Sequence, residues 1–187
     1  MSMAIKRGIV FASLFSVVCL VVWFIYGARL QQSEGNRPIV LLDKFEKQGV
    51  PDFESRTLDG RTFHLNDLRG KIVILNFWAT WCPPCVTEFP SMISLSKEFS
   101  KDIVLVTVSA DERKADVLDF LKAFGGNIIN SFHMWDPQRN IISQYGSEKL
   151  PETFIIDRSG RLIRKIVSSQ DWQDQRIKDY FSNLVSQ

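Results

Sequence analysis

The sequence predicts an α/β domain built on a mixed sheet, placed behind a single apolar N-terminal segment. Three observations carry that expectation. Residues 72–75 are a continuous apolar run and 103–108 a second one broken only by Thr107, the composition of strands covered on both faces, and helical spacing follows each. Residues 153–156 and 162–167 flank Asp157-Arg158-Ser159-Gly160, a hairpin signal. An amphipathic stretch over 172–184 closes the chain. Strand, helix, strand, helix, then hairpin and helix, pack as helices against a mixed sheet.

Composition sets outer bounds on what such a chain does. Of its 187 residues 45% are apolar, which excludes a wholly disordered chain. The 23 basic and 21 acidic residues leave a formal charge of +2, too even for a nucleic-acid binder held by gross charge. Three cysteines are too few for a small disulfide-stapled scaffold.

The first element is the apolar run over residues 9–28, which carries no charge and is interrupted only by Ser13, Ser16 and Gly27. At about 1.5 Å per residue it reaches about 30 Å, the thickness of a bilayer's hydrocarbon core. Lys6 and Arg7 precede it, so the N-terminus is expected inside the cell and the rest outside. Trp23 and Tyr26 fall near the outer end, where amphipathic rings favour the interface. Residues 1–8 are then a cytoplasmic N-terminus, 9–28 a transmembrane signal anchor, 29–48 a linker and 49–187 the exported domain. The linker expectation rests on the polar stretch 31–38, which contains Gly35 and Pro38. A cleaved signal peptide is the competing reading, but the run is longer than usual and Tyr26 is bulky where cleavage wants a small residue. A buried core helix is a further alternative. Cys19 has Val18 before it and apolar residues after it, and reads as a lipid-facing or packing thiol rather than a lipoprotein anchor.

Within the exported domain, Asp59-Gly60 between 53–55 and 62–65 predicts a β-hairpin. The strand at 72–75 follows, then a helix after Pro84 with Phe89, Met92, Ile93, Leu95 and Phe99 as its apolar positions, bent at Pro90. After the strand at 103–108, Asp111-Glu112-Arg113-Lys114 is expected as a solvated helix start. That helix presents Val117, Leu118, Phe120, Leu121 and Phe124, and Gly125-Gly126 ends it. A less regular stretch over 132–135 and a short helix over 138–144 precede the closing hairpin. No internal repeat or low-complexity tract is present.

The chemistry is concentrated in Trp81-Cys82-Pro83-Pro84-Cys85, where the first buried strand gives way to a helix. A helix N-terminus offers unpaired N–H groups and partial positive charge, which favour a thiolate at Cys82 below the free value of ~8.5. Cys85 lies one turn later, within reach of a disulfide. Pro83 and Pro84 suit the first turn and stiffen it. A lone CxxC also supplies half a zinc site, and inert thiols are a third reading. A structural zinc needs about two more ligands, for which only Cys19, His64 and His133 are available as sulfur or imidazole. His64 and His133 sit at no catalytic spacing and read as structural.

Asn76-Phe77-Trp78-Ala79-Thr80-Trp81-Cys82-Pro83-Pro84-Cys85, with Glu88 and Pro90 after it, resembles the TlpA/ResA/CcmG-type thioredoxin family. Lys149-Leu150-Pro151-Glu152-Thr153-Phe154-Ile155-Ile156-Asp157 resembles a second signature of that family, and Gly70-Lys71 and Pro51-Asp52-Phe53 also fit. The resemblance spans about residues 50 to 168. It implies a thioredoxin-like fold, a mixed central sheet flanked by helices, with an N-terminal β-hairpin extension and a central insertion. It implies a membrane-tethered, extracytoplasmic thiol–disulfide oxidoreductase that works as a reductase and needs neither cofactor nor metal.

Carried over by position, Cys82 is the attacking thiol and Cys85 the resolving one, together the redox disulfide. Pro151 is the cis-proline facing them, and the Leu150 backbone pairs with an extended substrate strand. Glu88, on the Cys85 face of the helix among Val86, Phe89 and Met92, is a carboxylate partly withdrawn from water, with a raised pKa suited to proton exchange with the cysteines. Thioredoxins proper carry an acid on the strand where this chain has Asn76. Trp78 reads as packing and Trp81 as a rim residue that contacts partners. The implied setting is the bacterial inner membrane, with the catalytic domain on the periplasmic side. The implied partners are extracytoplasmic proteins with disulfides, such as the haem-binding cysteine pair of an apocytochrome c, and a membrane electron donor of the DsbD/CcdA type. No nucleic acid is implied. A copper-site thiol reductase or metal-delivery module on the same fold is the alternative; the delivery module would need a CxxxC spacing or a third ligand near the cysteines. A peroxidase pattern P-x-x-x-[ST]-x-x-C fails, because Ala79 and Leu75 occupy its two fixed positions before Cys82.

Overall fold

The computed structural model describes residues 17–24, 37–123 and 130–187, and the chain divides into two units, 1–40 and 41–187. In the first unit, residues 17–24 are helical with exposed side chains. Among the described residues no helix is long and apolar enough to cross a membrane. Most of the expected anchor, with Lys6, Arg7 and Tyr26, lies outside the described residues, as do Phe124 and Gly125-Gly126.

Part of the expected linker is ordered helix. α1 covers Arg37–Gln48, and from Leu41 onward it belongs to the second unit. The reason is an apolar stripe that the polar stretch before it conceals: Leu41 and Leu42 pack on the core, and Phe45, one turn on, is buried against Tyr145 at 5.7 Å. Gly49 at φ +96° ends the helix, returning its N–H to Phe45 O at 3.1 Å.

The expected hairpin is β1 (Glu54–Arg56) and β2 (Thr62–His64), paired antiparallel. Then follow β3 (Ile72–Trp78), α2 (Pro83–Glu98), β4 (Ile103–Ser109), α3 (Lys114–Lys122), β5 (Ser131–Trp135), α4 (Asn140–Gln144), β6 (Glu152–Ile156), β7 (Leu162–Val167) and α5 (Gln175–Val185). The main sheet has the order β5-β4-β3-β6-β7, with β3, β4 and β5 parallel and β6 and β7 antiparallel, so it is mixed as expected. Every residue of β3 and β4 is buried, which is why both read as largely apolar runs, with Asn76, Thr107 and Ser109 as buried polar positions. The stretch at 132–135 is not irregular. It is the parallel edge strand β5, whose alternation is obscured because Ser131 and His133 point into a polar row on the sheet. α2 continues through Pro90.

Strand alternation sends successive side chains to opposite faces and fixes the layers. Trp78 packs on Phe89 of α2 and Phe120 of α3, with ring centroids 4.7 and 4.9 Å away. Its neighbour Phe77 points the other way, to Tyr145 at 5.4 Å and Phe154 at 5.6 Å. That second face is covered by α1, α4 and the hairpin, through Phe53 against Tyr145 and Phe63 against Phe132. The first face is closed by α2, α3 and α5, where Trp172 and Phe181 are fully buried.

Candidate active site

β3, β4 and β5 are parallel, so their C-terminal ends lie along one margin of the sheet, the usual place for a site in α/β architecture. From β3 the chain turns through Ala79, Thr80 and Trp81 into α2, with the Cys82 N–H donating to Ala79 O at 3.2 Å. Cys82 is the N-cap residue, and Pro83 and Pro84 open the helix. Cys82 and Cys85 form a disulfide with an S–S length of 2.04 Å and a Cα–Cα distance of 5.3 Å. The two sulfurs are not equivalent: Cys82 keeps 5% exposure and Cys85 none, while Trp81 beside them is 60% exposed.

The prolines alter what the helix tip can offer an anion. Neither has an N–H, the Cys82 N–H is bonded to Ala79 O, and the Val86 N–H donates to Cys82 O at 3.1 Å. Among the described residues this leaves the Cys85 N–H as the tip donor without a backbone acceptor. A Cys82 thiolate here draws on that one N–H and the helix dipole, rather than on a full set of donors.

Glu88 lies within the core, at 3% exposure. Its Oε1 accepts from Asn76 Nδ2 at 3.2 Å, and its Oε2 accepts from the Gln170 N–H at 3.0 Å and the Trp172 indole Nε1–H at 3.2 Å. Asn76 also donates to Thr153 Oγ1 at 2.9 Å. Burial pushes the carboxyl's pKa above its ordinary value, and the three donors pull against that shift. The strand position that differs from thioredoxins proper and the helix acid are therefore joined by one hydrogen bond. Gln170 and Trp172 are additions that the sequence did not disclose. The loop before α5 is fastened to α2 through Glu88, and through Ser91 Oγ, which accepts from the Trp172 N–H at 3.2 Å.

The Leu150–Pro151 peptide is cis. The antiparallel register pairs Phe77 with Glu152, which sets Pro151 level with Trp78, at the end of β3 that leads to Cys82. Pro151 O accepts from the Ser168 N–H at 3.2 Å. Among the described residues, the Leu150 N–H and carbonyl take no part in a backbone hydrogen bond.

Asp111 differs from expectation. It is not a solvated helix start but a buried carboxylate, 2% exposed. Its Oδ1 accepts from Thr80 Oγ1 at 2.6 Å, its Oδ2 from Ser109 Oγ at 2.6 Å, and the Thr80 N–H lies 3.0 Å from Oδ2. Its own N–H donates to Ser109 Oγ at 3.0 Å, and its carbonyl accepts from Trp135 Nε1 at 2.7 Å. α3 begins three residues later, at Lys114. His133 is structural in its contacts: Thr107 Oγ1 and Ser131 Oγ lie 2.7 and 2.8 Å from its two ring nitrogens, and burial drives its pKa down to about 4. His64 is half-buried at the end of β2. Among the described residues no three His, Cys, Asp or Glu side chains converge at metal-binding range.

A cysteine pair at the tip of the helix that follows a central strand, with a cis-proline just before the neighbouring strand and level with the end of the central one, is the arrangement of a thioredoxin-like thiol–disulfide oxidoreductase. The chain belongs to the AhpC/TSA family, whose profile matches residues 47–165. It is 35% identical over 141 residues to the thiol-disulfide oxidoreductase ResA of Bacillus subtilis strain 168, covering 75% of each chain. ResA of Bacillus anthracis is 36% identical over 137 residues, covering 73% of this chain and 76% of that one. Among solved structures, a thiol:disulfide interchange protein of the thioredoxin family from Chlorobium tepidum TLS superposes with TM-score 0.57 at 31% identity, covering 74% of this chain and 93% of its own. The exposed lipoprotein thioredoxin of Streptococcus pneumoniae strain TIGR4 superposes with TM-score 0.58 at 30% identity, covering 73% and 98%. These likenesses agree with the TlpA/ResA/CcmG type read from the motifs, and the chain is a thiol–disulfide oxidoreductase.

Proposed function

We propose that this enzyme is an extracytoplasmic reductase of protein disulfides, held at the bacterial inner membrane by residues 9–28, with the haem-binding cysteine pair of an apocytochrome c as its substrate. The observation that carries the reading is the asymmetry of the pair: Cys82 keeps a small accessible area beside exposed Trp81, and Cys85 keeps none. The likeness to proteins named ResA supports the same class of chemistry.

In the reducing direction, the Cys82 thiolate attacks one sulfur of the substrate disulfide. A Cys82–substrate disulfide forms, and the second substrate sulfur leaves as a thiolate and takes up a proton. Cys85 then loses its proton and attacks the Cys82 sulfur, closing Cys82–Cys85 and releasing the first substrate sulfur as a thiol. Two electrons pass to the substrate, and a membrane conduit of the DsbD/CcdA type returns two to the enzyme. Glu88, its pKa raised by burial, is the group that exchanges protons with the pair. The open Leu150 backbone beside Pro151, together with Trp81, holds the substrate as an extended strand, which demands no particular substrate sequence.

The test is a Cys85→Ser chain expressed in its own cell, where the mixed disulfide on Cys82 persists for want of a resolving thiol. Mass spectrometry of the trapped adduct is expected to identify an apocytochrome c. A copper-site protein in its place would move the assignment to copper-site thiol reduction, and a broad mixture would make the enzyme a general reductase.

A further inference from the structure

The Cys82 loop hangs from β3 by a short turn. One end of that turn is closed by its own hydrogen bond, from the Cys82 N–H to Ala79 O. Its middle residue, Thr80, spends both its N–H and its O–H on a single buried acceptor, the Asp111 carboxylate, 31 residues away in sequence. Asp111 is in turn fixed to the end of β4 through Ser109 and to the end of β5 through Trp135. The donors on the carboxylate are two hydroxyls and a backbone N–H; no cation pairs with Asp111 among the described residues. Hydroxyl–carboxylate bonds at 2.6 Å lie at the short, strong end of the range. A buried carboxylate that joins three strand ends and then reaches the residue two before the redox cysteine does more than fill a gap.

We propose that Asp111 is a positioning residue for the redox pair: through Thr80 its buried carboxylate sets where the Cys82 sulfur sits at the tip of α2, and so sets the balance between dithiol and disulfide. The inference rests on the reading that Cys82 and Cys85 cycle. A disulfide is favoured in proportion to how often its two thiols are held in reach of each other. A loosened turn lets Cys82 wander from Cys85, and the disulfide becomes easier to reduce.

The experiment uses the full chain in detergent, equilibrated with reduced and oxidised glutathione. Two glutathione thiols reduce Cys82–Cys85 to the dithiol and leave one glutathione disulfide, so the equilibrium constant reads the pair directly. D111A is expected to shift it at least about tenfold toward the dithiol, about 30 mV in potential. D111N keeps an acceptor for Thr80 and an NH₂ that can donate to Ser109 Oγ, and is expected within about threefold of the unaltered chain. T80S should match the unaltered chain, and T80V, which lacks only the hydroxyl, should move in the direction of D111A. If D111A does not fold, the T80V and T80S pair carries the test alone. Folded D111A or T80V at the unaltered equilibrium overturns the proposal. So does D111N matching D111A, because that would trace the effect to charge rather than placement. An unaltered chain that never equilibrates with glutathione overturns the redox reading itself, and this proposal with it.

Discussion

Two buried carboxylates flank the cysteine pair, and their surroundings assign them different work. Glu88 lies on the C-terminal side, one turn of α2 beyond Cys85, and is met by three nitrogen donors at 3.0 to 3.2 Å from β3 and the loop before α5. Asp111 lies on the N-terminal side, and its shortest contacts are two hydroxyls at 2.6 Å. Burial outweighs the donors at Glu88 and raises its pKa, which makes it a group that can take and give a proton. Asp111 spends its oxygens tying down the turn before Cys82. Burying a carboxylate is not in itself a catalytic device; what its oxygens meet decides whether it moves protons or holds backbone.

The sharpest way to break that contrast is Glu88→Gln. Asn76 can turn its amide to meet the new NH₂, and Thr153 can donate in its place, so the local bonds survive while the titrating proton is lost. Turnover of a disulfide substrate at pH 7 is expected to fall about a hundredfold, the ordinary contribution of a general acid–base group. The same variant should be more stable than the unaltered chain at neutral pH. Glu88 has a folded pKa above its ordinary 4.5, so between those values the folded state binds more protons than the unfolded one, and stability falls as pH rises. Urea titrations should show the advantage of Glu88→Gln at pH 7 and its disappearance below about pH 4.5. Full turnover in Glu88→Gln would place Glu88 with Asp111 as a purely structural carboxylate.

How much of this was legible in the sequence follows from chain distance. Cys82, Cys85 and Glu88 lie within one short segment, and Leu150-Pro151 within another, so motif and helical spacing were enough to single them out. The strands β3 and β4 were legible because both faces of each are covered by apolar neighbours. Asp111 and Trp172 were not, because their roles exist only across 31 and 84 residues of chain, and an Asp beside Glu, Arg and Lys looks solvated. β5 was missed for a related reason: its polar positions face Thr107 inside the sheet rather than water. α1 was missed because Gly35 before it and Pro38 in its first turn read as linker, while Phe45 finds its partner, Tyr145, 100 residues later.

A second, smaller effect separates Glu88 from the rest of the polar interior. His133 has its pKa driven down to about 4 from 6.5 by burial, so it folds neutral and the unfolded chain binds the extra proton. Its contribution is complete above pH 6.5 and is lost as pH falls toward about 4, up to about 3 kcal/mol in all. Glu88 tilts stability the opposite way with pH. His133→Gln should flatten the acid limb of the stability curve and leave the pH dependence of turnover alone. A shift in the turnover profile would tie His133 to the redox centre.

The smallest expected change refines the account of Glu88 alone. Trp172→Phe removes the indole donor at 3.2 Å and leaves the Gln170 N–H and Asn76 in place. One fewer donor stabilises the carboxylate less, so the Glu88 pKa should rise further, by a fraction of a unit if one neutral hydrogen bond is worth about 1 kcal/mol. The limb of the turnover profile that reports Glu88 should then move to higher pH by that fraction, with little change in its height. The ring of Phe keeps most of the contact with Phe181, so stability should drop by no more than about 1 to 2 kcal/mol. A profile that stays where it was would mean that Trp172 holds the loop without tuning the acid, and the control of Glu88 would then rest with Gln170 and Asn76.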